Sequence, residues 1–175
     1  MPSAEGNGFG WIPNADDPDT PLFSAHPAAG NDALPPVRFL VVPPSLAQGK
    51  LGSCTAQGTA MAVAILEMVE GVQRFLSRLM IYWEARRAMG PQFVTQDSGA
   101  MPNDALAAVS AGRAGPESLW PYDIGKFTQK APDLAYQVAQ PHALRFNKIP
   151  QAGSVLAARK ALFAGFPVNL GFRLR

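Results

Sequence analysis

The sequence predicts an α+β fold, with three helices grouped in one unit and a further helix and strand opening a second. Apolar residues recur at helical spacing over about 53–69, 77–89, 103–111 and 155–163. Two stretches rich in β-branched and aromatic residues, 37–42 and 168–174, read instead as strands. Prolines and glycines punctuate nearly every boundary between these segments.

Residues 1–33 are rich in Gly, Pro, Asp and Asn, with Trp11, Phe23 and His26 among the few bulky groups. Such a segment cannot bury enough apolar surface to fold alone. It reads as an extension laid on the rest of the chain with its aromatics as anchors, or as a loose tail. Val37-Arg38-Phe39-Leu40-Val41-Val42 lies between Pro35-Pro36 and Pro43-Pro44, which suits an edge strand.

The helix over 53–69 carries Ala56, Ala60, Val63, Ala64 and Met68, with Ile65 and Leu66 besides, and is apolar almost all round. Helices of that kind are central. Gly71 is placed to end it. The next helix, 77–89, has Leu79, Met80, Tyr82 and Trp83 facing inward and Arg78, Glu84, Arg86 and Arg87 mostly outward, and Gly90-Pro91 closes it. The third, 103–111, packs through Leu106, Ala107 and Val109. Residues 115–122 form a turn-rich linker carrying Trp120 and Tyr122. A fourth helix opens at Ser154 and closes at Gly165, and the strand over 168–174 follows.

Composition narrows the function. The 175 residues are 47% hydrophobic and 16% charged, so the chain is globular. Its 15 basic and 13 acidic residues are scattered singly, with none of the basic stripe that a phosphate backbone requires. Neither nucleic acid nor a membrane surface is an expected partner. The single cysteine excludes an internal disulfide. One cysteine and two distant histidines give no metal-ligand spacing, so no metal and no cofactor are expected. No secretory signal and no membrane span are visible, which points to a cytoplasmic protein, with export by another route left open.

The chemistry concentrates in Gln48-Gly49-Lys50-Leu51-Gly52-Ser53-Cys54-Thr55-Ala56. This stretch sets the one thiol at the start of an apolar helix, where unpaired N–H groups favour negative charge. A thiolate there can attack a carbonyl carbon, and the oxygen then needs hydrogen-bond donors. The Cys54 N–H can be one donor. The Gln48 side-chain amide can be the other, if Gly49 and Gly52 let the loop fold back. A lone buried cysteine is most often a small hydrophobe; the Gln-x5-Cys spacing and two loop glycines turn the reading toward a nucleophile.

These residues resemble the active-site motif of the papain-like cysteine peptidases, in their bacterial and viral type without disulfides. Phe75-Leu-Ser77-Arg-Leu79-Met-Ile-Tyr82 is similar to the family's second helix region. Asp97-Ser98-Gly99-Ala100 and Gly115-Pro-Glu-Ser-Leu-Trp120-Pro-Tyr122-Asp resemble the stretch leading into the substrate cleft and out of the left domain. Gly165-Phe-Pro167-Val-Asn-Leu-Gly171-Phe looks like the first strand of the right barrel. Gly10-Trp11-Ile-Pro13 resembles an extension seen in some bacterial members.

The resemblance implies a pro-segment-like extension at 1–33, a complete left domain at 34–150, and the start of a truncated right domain at 151–175. It also implies a cysteine-type peptidase acting through an acyl-enzyme. Cys54 would be the nucleophile and Gln48 would belong to the oxyanion hole. Gly52, Ser53, Ser98, Gly99, Ala100 and Met101 would border the peptide. Ala47 and Thr55 stand where the family usually has an aspartate and an aromatic.

The family's catalytic histidine and orienting asparagine would lie beyond Leu174. No histidine follows His142 in this sequence, and neither His142 nor His26 is placed to serve. This chain alone is therefore expected to be inactive or very weak. Peptide or protein substrates are the implied partners, with a second chain as one source of the missing right domain. The alternative is a shortened, non-catalytic protein that binds peptides or a partner protein.

Overall fold

The computed structural model describes residues 10–14, 18–23, 34, 41–142, 144–149 and 154–171. Three helices build the core: α1 (Cys54–Val69), α2 (Arg78–Met89) and α3 (Pro102–Ser110), each packed on the other two. Two further helices follow, α4 (Asp133–Gln137) and α5 (Ser154–Phe163). Short 3-10 turns at Pro91–Thr95 and Ile124–Lys126, together with α4, had no periodicity long enough to announce them.

The end of α1 lies where the glycine predicts. Gly71 takes a φ of 80° and its N–H returns to the Met68 carbonyl, the left-handed stop that an L side chain resists. The inner face of α1 is small, with Ala56, Thr59, Ala60, Val63 and Ala64 all buried. Small residues there let α2 and α3 approach closely. Ser77 caps α2, its hydroxyl accepting the Met80 N–H and donating to the Trp120 carbonyl. One serine thus fixes both a helix start and the 115–122 segment. That segment also pairs through Leu76 with Pro116, and its Trp120 and Tyr122 pack against the core.

Three expectations need correction. In α2, Arg78, Glu84 and Arg86 are buried, not turned outward. Their charges are met inside: Arg86 donates to the carbonyls of Tyr82, Phe93, Val94, Gln96 and Phe127, and lies over the Tyr82 ring at 4.0 Å. Glu84 takes Arg87 at 2.8 Å and the Tyr136 hydroxyl at 2.9 Å. In α3, Ala105, Ala108 and Val109 are the buried positions, while Ala107 is exposed; 105, 108 and 109 share one helical face, and 107 lies off it. Finally, residues 41–42 and 168–171 carry no strand pairing. The remainder of both expected strands lies outside the described residues, as does His26.

The N-terminal extension lies on the body wherever it is described. Its first contact is a parallel bridge between Trp11 and Ala100, with Ala100 N–H to Gly10 O at 2.8 Å and Ile12 N–H to Ala100 O at 3.2 Å. Its second is a bridge between Leu22 and Lys148, beside which Phe23 is buried. Gly171 lies so close to Trp11 that a Cβ there would enter the indole ring.

Candidate active site

Cys54 is the first residue of α1, a free and half-buried thiol. The loop before it turns back on itself. Gly49 takes a φ of 65°, and the Leu51 carbonyl accepts two bonds, from the Gln48 amide nitrogen at 2.7 Å and from the Ser53 N–H at 2.8 Å. Two donors on one oxygen must be neighbours. The fold therefore carries the Gln48 amide around to the residue that precedes Cys54, as the loop glycines suggest.

The strip Asp97–Met101 is bonded to this loop and to the start of α1. Asp97 accepts the Gly52 N–H with both carboxylate oxygens at 3.0 Å, and also the Tyr82 hydroxyl at 2.5 Å. The Tyr82 oxygen accepts the Gly99 N–H at 3.0 Å. Burial first, and then the neighbouring carboxylate, push the Tyr82 pKa far up, so the phenol keeps its proton and donates it. Next to Cys54 in the first turn of α1, Thr55 donates to the Ala100 carbonyl at 2.9 Å. The strip and the loop before Cys54 are therefore one hydrogen-bonded unit.

Gly52, Ser53, Gly99 and Ala100 are buried there, while Ser98 and Met101 are partly exposed. Gly99 needs its hydrogen side chain twice over: its φ is 76°, and a Cβ would strike the Gly10 carbonyl. Strip and loop thus come together with Cys54, whereas Met101 serves as the cap residue of α3.

His142 is elsewhere. Its Nδ1 lies 3.5 Å from Glu67 Oε1, near the far end of α1. Thirteen residues of helix separate Glu67 from Cys54, about 20 Å along the axis, so His142 cannot reach the thiol. Burial, and secondarily the Arg74 charge, pull its pKa down, against the pull of Glu67.

A second group of residues around the site was not assigned from the sequence. Tyr122 donates to the Gln48 carbonyl at 2.9 Å and lies 2.5 Å from the Ser53 hydroxyl. Arg78, held by Glu117 at 2.6 Å, reaches the Ala47 carbonyl and the Gln57 side chain. Tyr122 is 74 residues from Gln48, so no local spacing announces it. The usable signal was a polar residue, Gln57, on the first turn of an otherwise apolar helix.

Comparison with known proteins bears on the family and the fold. No family model matches the chain. An uncharacterized peptidase C1-like protein of Acanthamoeba polyphaga mimivirus is 31% identical over 134 residues, covering 71% of this chain and 42% of that protein. The crystal structure of xylellain, a cysteine protease from Xylella fastidiosa, superposes with a TM-score of 0.74 at 26% identity, over 94% of this chain and 66% of xylellain. The fold and its thiol-bearing helix define a papain-like chain, and it belongs to the papain-like cysteine peptidase family. It spans less than half the length of its viral relative and about two thirds of xylellain.

Proposed function

We propose that this chain is the nucleophile-bearing half of a cysteine-type peptidase. Cys54 is the nucleophile, and Gln48 with the Cys54 N–H forms the oxyanion hole. The observation that carries this is the loop closure on Leu51, which holds the Gln48 amide beside the start of α1. In the reaction the sulfur attacks the scissile carbonyl carbon and its oxygen becomes an oxyanion met by those donors. The C–N bond then breaks, the amine leaves with a proton, and water later releases the acyl group.

The proton for the amine needs an imidazole. His142 is too far, so on an amide the 175 residues by themselves go no further than attack of the sulfur on the carbonyl carbon. A right domain, from the same polypeptide or a second chain, would bring the histidine and the asparagine that orients it. The apolar side chains at Val155, Leu156 and Leu170 are exposed on the 151–175 segment, a surface that such a domain would cover. A peptide or protein would lie along Ser98, Gly99, Ala100 and Met101 and past Gly52 and Ser53.

The extension bears on both this reading and its alternative. Gly10–Ile12 already pairs with the Ala100 backbone, which supports a pro-segment-like role in which the extension obstructs the strip. The same pairing favours the second reading, a non-catalytic protein that binds extended chains, because it shows a chain seated on that edge.

The test is acylation without turnover. Incubated with a p-nitrophenyl peptide ester, whose leaving group needs no acid, the chain should gain one acyl group, read by intact mass and mapped to Cys54. Gln48→Ala should slow it by about 10²-fold, and Cys54→Ala should abolish it. An adduct that survives Cys54→Ala would overturn the peptidase reading and leave peptide binding.

A further inference from the structure

We propose that Tyr122 is the positioning residue of the oxyanion hole: its hydroxyl joins the two ends of the Gln48–Ser53 loop and so sets the direction of the Gln48 amide. This rests on the peptidase reading of Cys54 and Gln48. Tyr122 touches the carbonyl of Gln48 at 2.9 Å and the hydroxyl of Ser53 at 2.5 Å, which are the first and last residues of the loop.

Proton counting gives this contact a direction. A phenol has one proton, and here it goes to the Gln48 carbonyl. Ser53 must therefore donate to the Tyr122 oxygen. The Ser53 oxygen in turn accepts from the Gln57 amide at 3.4 Å, while the Gln57 carbonyl oxygen accepts from Arg78 at 3.1 Å. A single ordered chain runs from the Arg78 guanidinium through Gln57, Ser53 and Tyr122 to the Gln48 carbonyl. Each link polarises the next.

Arg78 starts the chain as a fixed charge. Glu117 holds it through Oε1 at 2.6 and 3.1 Å, its guanidinium lies 4.2 Å from the centre of the Tyr122 ring, and it also donates to the Ala47 carbonyl at 3.2 Å. The carbonyls of Ala47 and Gln48 are thus both gripped from behind. Glu117 additionally accepts the Tyr122 N–H at 3.1 Å, which locks the tyrosine to the same anchor. Burial raises the phenol pKa, although the Ser53 and Gln57 bonds and the Arg78 charge pull the other way.

With its backbone carbonyl tied to Tyr122, the Gln48 side chain meets the Leu51 oxygen and the turn is closed. Without the hydroxyl, the Gln48 carbonyl and Ser53 hydroxyl lose their common partner, and the loop is held only by its own short bonds and by Asp97.

Two thiol reagents separate this role from general stability. Iodoacetamide alkylates sulfur with loss of iodide and creates no oxyanion. A peptide aldehyde adds sulfur to its carbonyl carbon, and the oxygen, protonated by the thiol's proton, occupies the oxyanion position. Tyr122→Phe keeps the ring and its stacking on Arg78. It should weaken aldehyde binding about tenfold, the worth of a buried hydrogen bond, with the alkylation rate unchanged. In Gln48→Ala the same substitution should cost nothing further, because the amide it positions is gone.

Additive losses, or an aldehyde affinity unaffected by Tyr122→Phe while Gln48→Ala loses it, would overturn the inference. A parent protein that binds no aldehyde would sink the peptidase reading itself. The positioning claim is then read separately, from hydrogen exchange of the Gln48 side-chain amide. That exchange should speed up about tenfold in Tyr122→Phe, and unchanged exchange would contradict it.

Discussion

At the scale of single residues, the site is held by close backbone approach rather than by bulk. Gly10, Gly52 and Gly99 meet where the extension, the nucleophile loop and the strip converge. Gly99→Ala would place a methyl group against the Gly10 carbonyl in a backbone conformation that alanine resists. It should lift residues 10–12 off the strip and lower stability by about 1–2 kcal/mol. Hydrogen exchange at the Ala100 amide and urea unfolding would check both effects. Cys54, Gln48 and the loop glycines were legible in the sequence because their relation is local, six residues end to end. The bonds of Tyr122 to Gln48 and of Asp97 to Gly52 were not, since each pair is more than forty positions apart.

At the scale of elements, the helices at 54–69 and 78–89 were readable because their apolar periodicity is long and their caps, Ser77 and Gly71, are explicit. The burial of charge within α2 was not. A charged residue on a helix is ordinarily a solvated one, and only the tertiary partners reveal the opposite. Arg86 is the clearest case: it is fully buried and collects carbonyls from the 93–96 turn and from Phe127. That turn leads directly into Asp97. Arg86→Met would leave those carbonyls without a donor and should cost about 3–5 kcal/mol, measurable by chemical denaturation. The same variant should loosen the Asp97 grip on Gly52, read as faster exchange of the Gly52 amide.

A second element-scale expectation concerns the far end of α1. His142 has a folded-state pKa below its ordinary value, so between that value and about 6.5 the unfolded chain binds more protons than the folded one. Stability therefore rises with pH across that window and is lost as pH falls through it. The groups facing His142 are Glu67 and Arg74. His142→Gln should flatten this part of the stability profile, measured by urea unfolding between pH 5 and 7. An unchanged slope would show that another group carries the acid sensitivity. Activity of the site should not follow the same profile, because His142 is about 20 Å of helix away from Cys54.

At the scale of the whole molecule, the left-hand helical unit is tied to its site by three independent anchors: Asp97 on Gly52, Thr55 on Ala100, and Tyr122 on Gln48. The extension spans from the strip to the segment at Gly171 through Trp11. Removing the indole by Trp11→Ala should weaken that hold and raise the affinity of an added extended peptide for the strip. Fluorescence anisotropy of a labelled peptide would show it. Equal affinity in both proteins would mean that the extension does not compete. The helix at 154–163 was legible, but the strand expected after it was not recovered among the described residues, because pairing at 168–171 depends on neighbours that local sequence does not specify.

The most direct measurement is cleavage of an unstructured protein substrate by the polypeptide as its own cell produces it, together with any chain that copurifies with it, compared with the same preparation carrying Cys54→Ala. The account predicts cleavage that disappears with Cys54→Ala. Cleavage that persists in the variant, or none in the parent, would contradict a Cys54 peptidase.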